Sequence, residues 1–180
     1  MLPTYLCFAG FLSMLGLAAL KDLRERRIPN RLTAGLALLY PVYVLVSPVP
    51  VAWPGAIGLA GAVFLVGLGL FARQLIGGGD VKLIAAVSLW AGPEHFVWFM
   101  LITTLTGGAL SLISLWYRRW AGVIETHLAA LGLATIGGLG GIVSEAPQSV
   151  TTASSHPATL PYGVAIAAGG IAVAIQLLKL

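Results

Sequence analysis

The feature that most constrains this chain is a succession of long stretches without a charged residue, the first of which, Leu2 to Leu20, runs for 19 residues. As a helix it would measure about 28 Å, close to the ~30 Å hydrocarbon core of a bilayer. Only 9% of the residues are charged and 58% are hydrophobic, whereas soluble domains carry about 25% charged residues. Too little polar surface is left to cover a water-soluble globule. An all-α polytopic membrane protein with about six transmembrane helices is therefore predicted, as a single membrane-embedded domain over residues 1–180.

The placement of charge predicts the topology. Lys21 to Arg31 holds five of the ten basic residues, which assigns this segment to the cytoplasm and the N-terminus to the outside. Leu32 to Val46, interrupted by Pro41, is a second span, and the uncharged stretch Ser47 to Pro54 an external loop. Trp53 to Ala72 is a third span, with Arg73 marking its cytoplasmic end and Gln74 to Asp80 an internal loop. Val81 to Ala91 is only about 17 Å long as a helix, so one of its ends is expected below the membrane surface. Gly92 to His95 closes it, and Phe96 to Tyr117 returns to Arg118 and Arg119. Val123 to Val143 is apolar but contains Glu125, His127 and five glycines. It reads as an amphipathic or re-entrant cytoplasmic segment, with a seventh span as the alternative. Ser144 to Pro161 reads as a linker, and Tyr162 to Leu178 as the last span.

Several functional classes fall away. The first apolar run has no Lys or Arg before Lys21, unlike the basic start of a signal peptide, and is expected to be retained. A single cysteine, Cys7, supports neither a disulfide framework nor a thiolate metal site. His95, His127 and His156 lie in different segments, so no zinc site is expected. The net charge of +4 sits in interhelical segments, as membrane topology requires, and implies no nucleic-acid partner.

Acid–base chemistry has few candidates, because the chain contains only two aspartates, Asp22 and Asp80, and four glutamates. Asp22 follows the first span and Asp80 follows a glycine turn after the third, so both are expected at the cytoplasmic end of the membrane region. Each has a structural reading. Asp22 could be an interfacial charge paired with Arg26 at i, i+4, and Asp80 an N-cap. As a pair they suggest more. Two carboxylates in a poorly solvated site do not both ionise cheaply, so one keeps its proton while the other serves as base to a shared water. Acids close to the hydrocarbon tend to be functional. Gly77, Gly78 and Gly79 free the backbone and permit close approach of another chain; the phosphate-loop spacing is missing. Lys82 reads as a topogenic charge, and Gly107, Gly108 and Ser111 as close helix packing.

Two motifs, Asp22 with Ile28-Pro29-Asn30 and the G-x-G-D sequence Gly77-Gly78-Gly79-Asp80, resemble those of the type IV prepilin peptidases. Leu160-Pro161-Tyr162-Gly163 is similar to a third element of that family. The resemblance implies that Asp22 and Asp80 are the catalytic pair, that Ile28, Pro29, Asn30, the three glycines, Pro161, Tyr162 and Gly163 shape the site or bind substrate, and that no metal or organic cofactor takes part. It further implies cleavage after a glycine in a short basic leader, at the cytoplasmic face of the bacterial inner membrane. Larger members carry an N-terminal extension with paired cysteines that is linked to methylation. This sequence starts at the first catalytic helix and is similar to the short tight-adherence type, which is expected to cleave Flp-type prepilins or pseudopilins without methylating them. A prepilin or pseudopilin substrate and membrane lipid are thus the expected partners. A small ion-coupled transporter or channel using the same aspartates is the alternative. A presenilin-like protease fits less well, because that group places its first aspartate within a helix and lacks the I-P-N element.

Overall fold

The computed structural model describes residues 2–130 and 162–178. The chain divides into two compact units, one of residues 1–108 with 161–180 and the other of residues 109–160. Among the described residues all regular structure is helical, in elements α1 (Leu2–Glu25), α2 (Asn30–Val46), α3 (Trp53–Ala72), α4 (Gly78–Ala130) and α5 (Tyr162–Leu177). By length and composition, Leu2–Glu25, Trp53–Ala72 and Gly78–Trp116 can cross a membrane, and α2 and α5 are shorter apolar helices.

The first helix continues past its charge-free run by more than a turn, so Asp22 lies within α1 and not after it. Polar residues tolerate the helical backbone, and Arg24 in the last turn suits the negative end of the helix dipole. Termination comes at Arg26, which adopts the left-handed conformation (φ 49°) while its N–H donates to the Asp22 carbonyl at 3.0 Å. Pro29 then opens α2 with its φ at −63°, and Asn30 is the first helical residue.

The other end of α3 closes in a Schellman motif. Gln74 N–H donates to the Phe71 carbonyl at 2.8 Å and Leu75 N–H to the Leu70 carbonyl at 3.0 Å, with Gln74 itself left-handed at φ 58°. The chain thus turns sharply off α3 and enters α4 within a few residues.

Residues 78–116 would extend about 58 Å as a straight helix, nearly twice the bilayer core. They do not run straight. Gly92 has φ 60° and ψ −179°, a backbone region used essentially by glycine alone, and it joins two helices. Val87 and Phe99, which a straight helix would hold ~18 Å apart, flank the neighbouring glycines Gly170 and Gly169 of α5. The chain therefore folds back at Gly92. The expected break is real but narrower than Gly92 to His95, because Pro93 takes the first position of the returning helix, where its missing N–H is no loss. The outgoing arm also begins at Gly78, earlier than Val81.

The core of the first unit lies between α1, α2, α5 and the two arms of α4. Phe11, Leu15, Leu36, Leu83, Val87 and Phe99 are completely or almost completely buried there. Toward the α1 N-terminus, Phe8, Phe11, Tyr40, Tyr43 and Trp90 form a cluster of rings. The Trp90 indole N–H donates to the Leu36 carbonyl at 2.9 Å, tying α4 to α2 across 54 positions of sequence. Lipid is as apolar as a side chain, so close packing rather than water exclusion must hold such helices together. Accordingly α5 buries small residues, among them Gly163, Ala165, Ala167, Gly169, Gly170 and Ala174. A Cβ at Gly170 would lie 2.6 Å from Leu15, and one at Gly169 would collide with Thr103. By contrast, α3 buries only Ala56 and presents Ile57, Leu65, Val66 and Leu68 outward, as a helix bathed in lipid would.

The expectations for residues 131–161, the later part of the re-entrant segment and the linker, lie outside the described residues. Over 120–130 the backbone is helical.

Candidate active site

The two aspartates approach from opposite directions in sequence. Asp22 sits on the last turns of α1 and is 7% exposed. Its Oδ2 accepts the Gly163 backbone N–H at 2.7 Å, across 141 positions of sequence. Gly163 is the second residue of α5, so this N–H is one of those at a helix start with no partner inside the helix, and the carboxylate satisfies it. Contact this close requires glycine, since a Cβ at position 163 would fall 2.7 to 2.9 Å from three atoms of the Asp22 side chain.

Asp80 is half-buried and follows Gly79, which packs on Ile28, six residues beyond Asp22. It does not occupy the expected N-cap position. Val81 N–H bonds to the Gly77 carbonyl at 3.1 Å, so Gly77 caps the helix and Asp80 lies in its first turn. A carboxylate there still suits the positive end of the helix dipole. The glycine tract owes its composition to proximity, not to unusual backbone angles, for among the described residues only Gly92 is a glycine with positive φ. A Cβ at Gly77 would lie 3.0 Å from the Asp80 carboxylate, one at Gly78 3.1 Å from the Phe71 ring, and one at Gly79 3.3 Å from Ile28. Gly78 and Gly79 are therefore covered by the protein's own side chains, while Gly77 is exposed.

The Ile28-Pro29-Asn30 element joins this arrangement. Ile28 packs on Gly79, and the Asn30 side-chain oxygen accepts a hydrogen bond from the Lys82 ammonium at 2.9 Å. Lys82 was legible only as a charge that sets topology; its partner is 52 positions away and leaves no local signature. Tyr162 is half-exposed at the start of α5, and Pro161 lies outside the described residues. Of the expected site residues, Asp22, Asp80, Ile28, Asn30, the three glycines and Gly163 are thus gathered at one end of the helices.

Among the described residues no three His, Cys, Asp or Glu side chains come together as a metal site would need. Glu25, the remaining acid nearby in sequence, is exposed and paired with Lys21 at 2.6 Å.

Comparison with known proteins places the chain in a family. The chain is similar to the "Prepilin leader peptidase/N-methyltransferase" of Bacillus subtilis (strain 168), with 31% identity over 107 residues. The matched stretch is 57% of this chain and 43% of that relative, so the chain spans less than half of the relative's length. No solved structure gives a significant match. The model of the type IV leader peptidase family matches residues 9–112, more than half of the chain and inclusive of both Asp22 and Asp80, and the chain belongs to that family.

Proposed function

We propose that this chain is an intramembrane aspartic endopeptidase that cleaves the leader peptide from type IV prepilins or pseudopilins of the Flp type. The observation that carries the reading is that the contacts of Asp22 with Gly163, of Ile28 with Gly79 and of Asn30 with Lys82 gather the segments bearing Asp22 and Asp80, the only two aspartates of the sequence, at one end of a helix bundle. In this mechanism one carboxylate is ionised and takes a proton from a water held between the two. The other carries a proton, polarises the scissile carbonyl and then supplies a proton to the leaving amine. The Gly163 N–H fixes the orientation of the Asp22 carboxylate by holding one of its oxygens. Hydrolysis needs no metal or organic cofactor, and methyl transfer forms no part of the proposal.

The reaction is assigned to a single membrane-embedded peptidase domain, at the cytoplasmic face of a bacterial inner membrane. Support for the orientation comes from charge. Lys21, Arg24, Arg26, Arg27, Arg31, Arg73 and Lys82 all belong to the segments around the aspartates, as expected of a cytoplasmic face. A substrate with an apolar helix could then lie along the lipid-facing spans and present its leader at this face. A glycine before the scissile bond suits a site with little free space beside Asp80, although Gly78 and Gly79 are themselves occupied. Co-expression with a candidate prepilin, followed by mass spectrometry of the product's new N-terminus, tests the reading. The expected product begins directly after that glycine and carries no methyl group. An uncut prepilin in the presence of inserted wild-type protein would count against this substrate class.

A further inference from the structure

The aspartates belong to two helices that are remote in sequence, and a shared water requires their spacing to be held closely. On one side, Asp22 is linked to Asn30 by a short segment that Pro29 stiffens, since proline fixes its own φ and restricts the residue before it. On the other side, Asp80 and Lys82 share the first turns of α4. The bond from the Lys82 ammonium to the Asn30 Oδ1, at 2.9 Å, ties these two stiff pieces together. Ile28 against Gly79 is a second contact between them, apolar and without direction. The hydrogen bond is directional and charge-assisted, and so fixes position more closely.

We propose that the Lys82–Asn30 hydrogen bond is the clamp that sets the spacing of Asp22 and Asp80, which makes Lys82 a positioning residue; this rests on the aspartic-peptidase reading above. Residues two apart on a helix do not face each other, so Lys82 points away from the side of α4 that carries Asp80 and acts through Asn30. Both partners are exposed, and an exposed pair contributes little to global stability. Loss of the clamp should therefore loosen the alignment without unfolding the protein, which separates a positioning role from a merely structural one.

The experiment measures kcat, KM and thermal unfolding of the purified full chain with a prepilin substrate, for Lys82→Met, Asn30→Leu, the double variant, Lys82→Arg and Asp80→Asn. In Lys82→Met and Asn30→Leu, kcat should fall roughly 10- to 100-fold, the scale of a displacement of about 1 Å. KM should stay within about twofold and the unfolding temperature should not change. The double variant should be no worse than the weaker single variant, because both remove one interaction. Lys82→Arg, which keeps a donor, should retain most of the activity. Unchanged kcat in Lys82→Met, a loss confined to KM, multiplicative losses in the double variant, or failure of the single variants to fold would each overturn the clamp. Asp80→Asn separates the two levels. If it is inactive while Lys82→Met is fully active, only the clamp fails, and if it cleaves normally, the aspartic-peptidase reading fails with it.

Discussion

At the scale of single residues, the site depends on hydrogen atoms where any other residue would put a carbon. Gly163→Ala is the sharpest case, because its Cβ would fall within 2.9 Å of three atoms of Asp22. Neither the α5 backbone nor the carboxylate can yield without losing the 2.7 Å hydrogen bond between them. Overpacking of this kind costs about 1–3 kcal/mol, and displacement of a catalytic group by about 1 Å costs on the order of 100-fold in rate. Gly163→Ala should accordingly remove about two orders of magnitude of cleavage while the protein still inserts. Gly79→Ala, whose Cβ would meet Ile28 at 3.3 Å, should lose less than tenfold by the same measure of displacement. Equal activity of the two variants in a prepilin-processing assay would contradict this ranking. Asp22 and Asp80 were legible in the sequence because no other aspartates compete with them. The Gly163 amide as the partner of Asp22 was not, since a backbone N–H has no sequence signature and 141 positions separate the two. Asp80 looked like an N-cap for a related reason: glycines suggest a loop, yet Gly78 and Gly79, packed against Phe71 and Ile28, already belong to the first turn of α4.

Among the elements, the hairpin in α4 depends most on one backbone conformation. Gly92 has nothing within 4 Å of where its Cβ would be, so Gly92→Ala meets no steric obstacle. What it meets is strain, because φ 60° with ψ −179° is closed to side-chain-bearing residues at about 1–3 kcal/mol. The variant should lose that much stability in a thermal or denaturant unfolding assay in detergent. An Ala variant as stable as the parent would show that this turn is not as described. The length of the charge-free runs and the placement of basic residues located the helices here well, because bilayer thickness limits their length and leaves few alternatives. Their ends were less legible. The first helix keeps its form through Glu25 despite four charged residues after Leu20, since nothing in Lys21-Asp22-Leu23-Arg24-Glu25 breaks a helix. The break at Gly92 was visible as Gly-Pro, but Pro93 opens the returning helix instead of lengthening the gap.

For the whole molecule, the account requires both aspartates at one membrane face, with the α2–α3 connection and the Gly92 turn at the other. In a Cys7→Ser background, single cysteines at positions 27 and 75 should react with a membrane-impermeant thiol reagent only in inverted vesicles, and one at position 49 only in intact cells. Labelling of all three from the same side would contradict the orientation. The central claim is that Asp22 and Asp80 together perform the cleavage, and the most direct measurement is prepilin processing by the Asp22→Asn and Asp80→Asn proteins beside Glu25→Gln. An amide preserves size but cannot accept the water's proton, so each Asn variant should lose at least the 10²- to 10⁴-fold that general acid–base catalysis supplies. Glu25→Gln, which removes an exposed carboxylate bound to Lys21, should stay within about twofold of the parent. Processing at the parent rate by either inserted Asn variant would contradict the account.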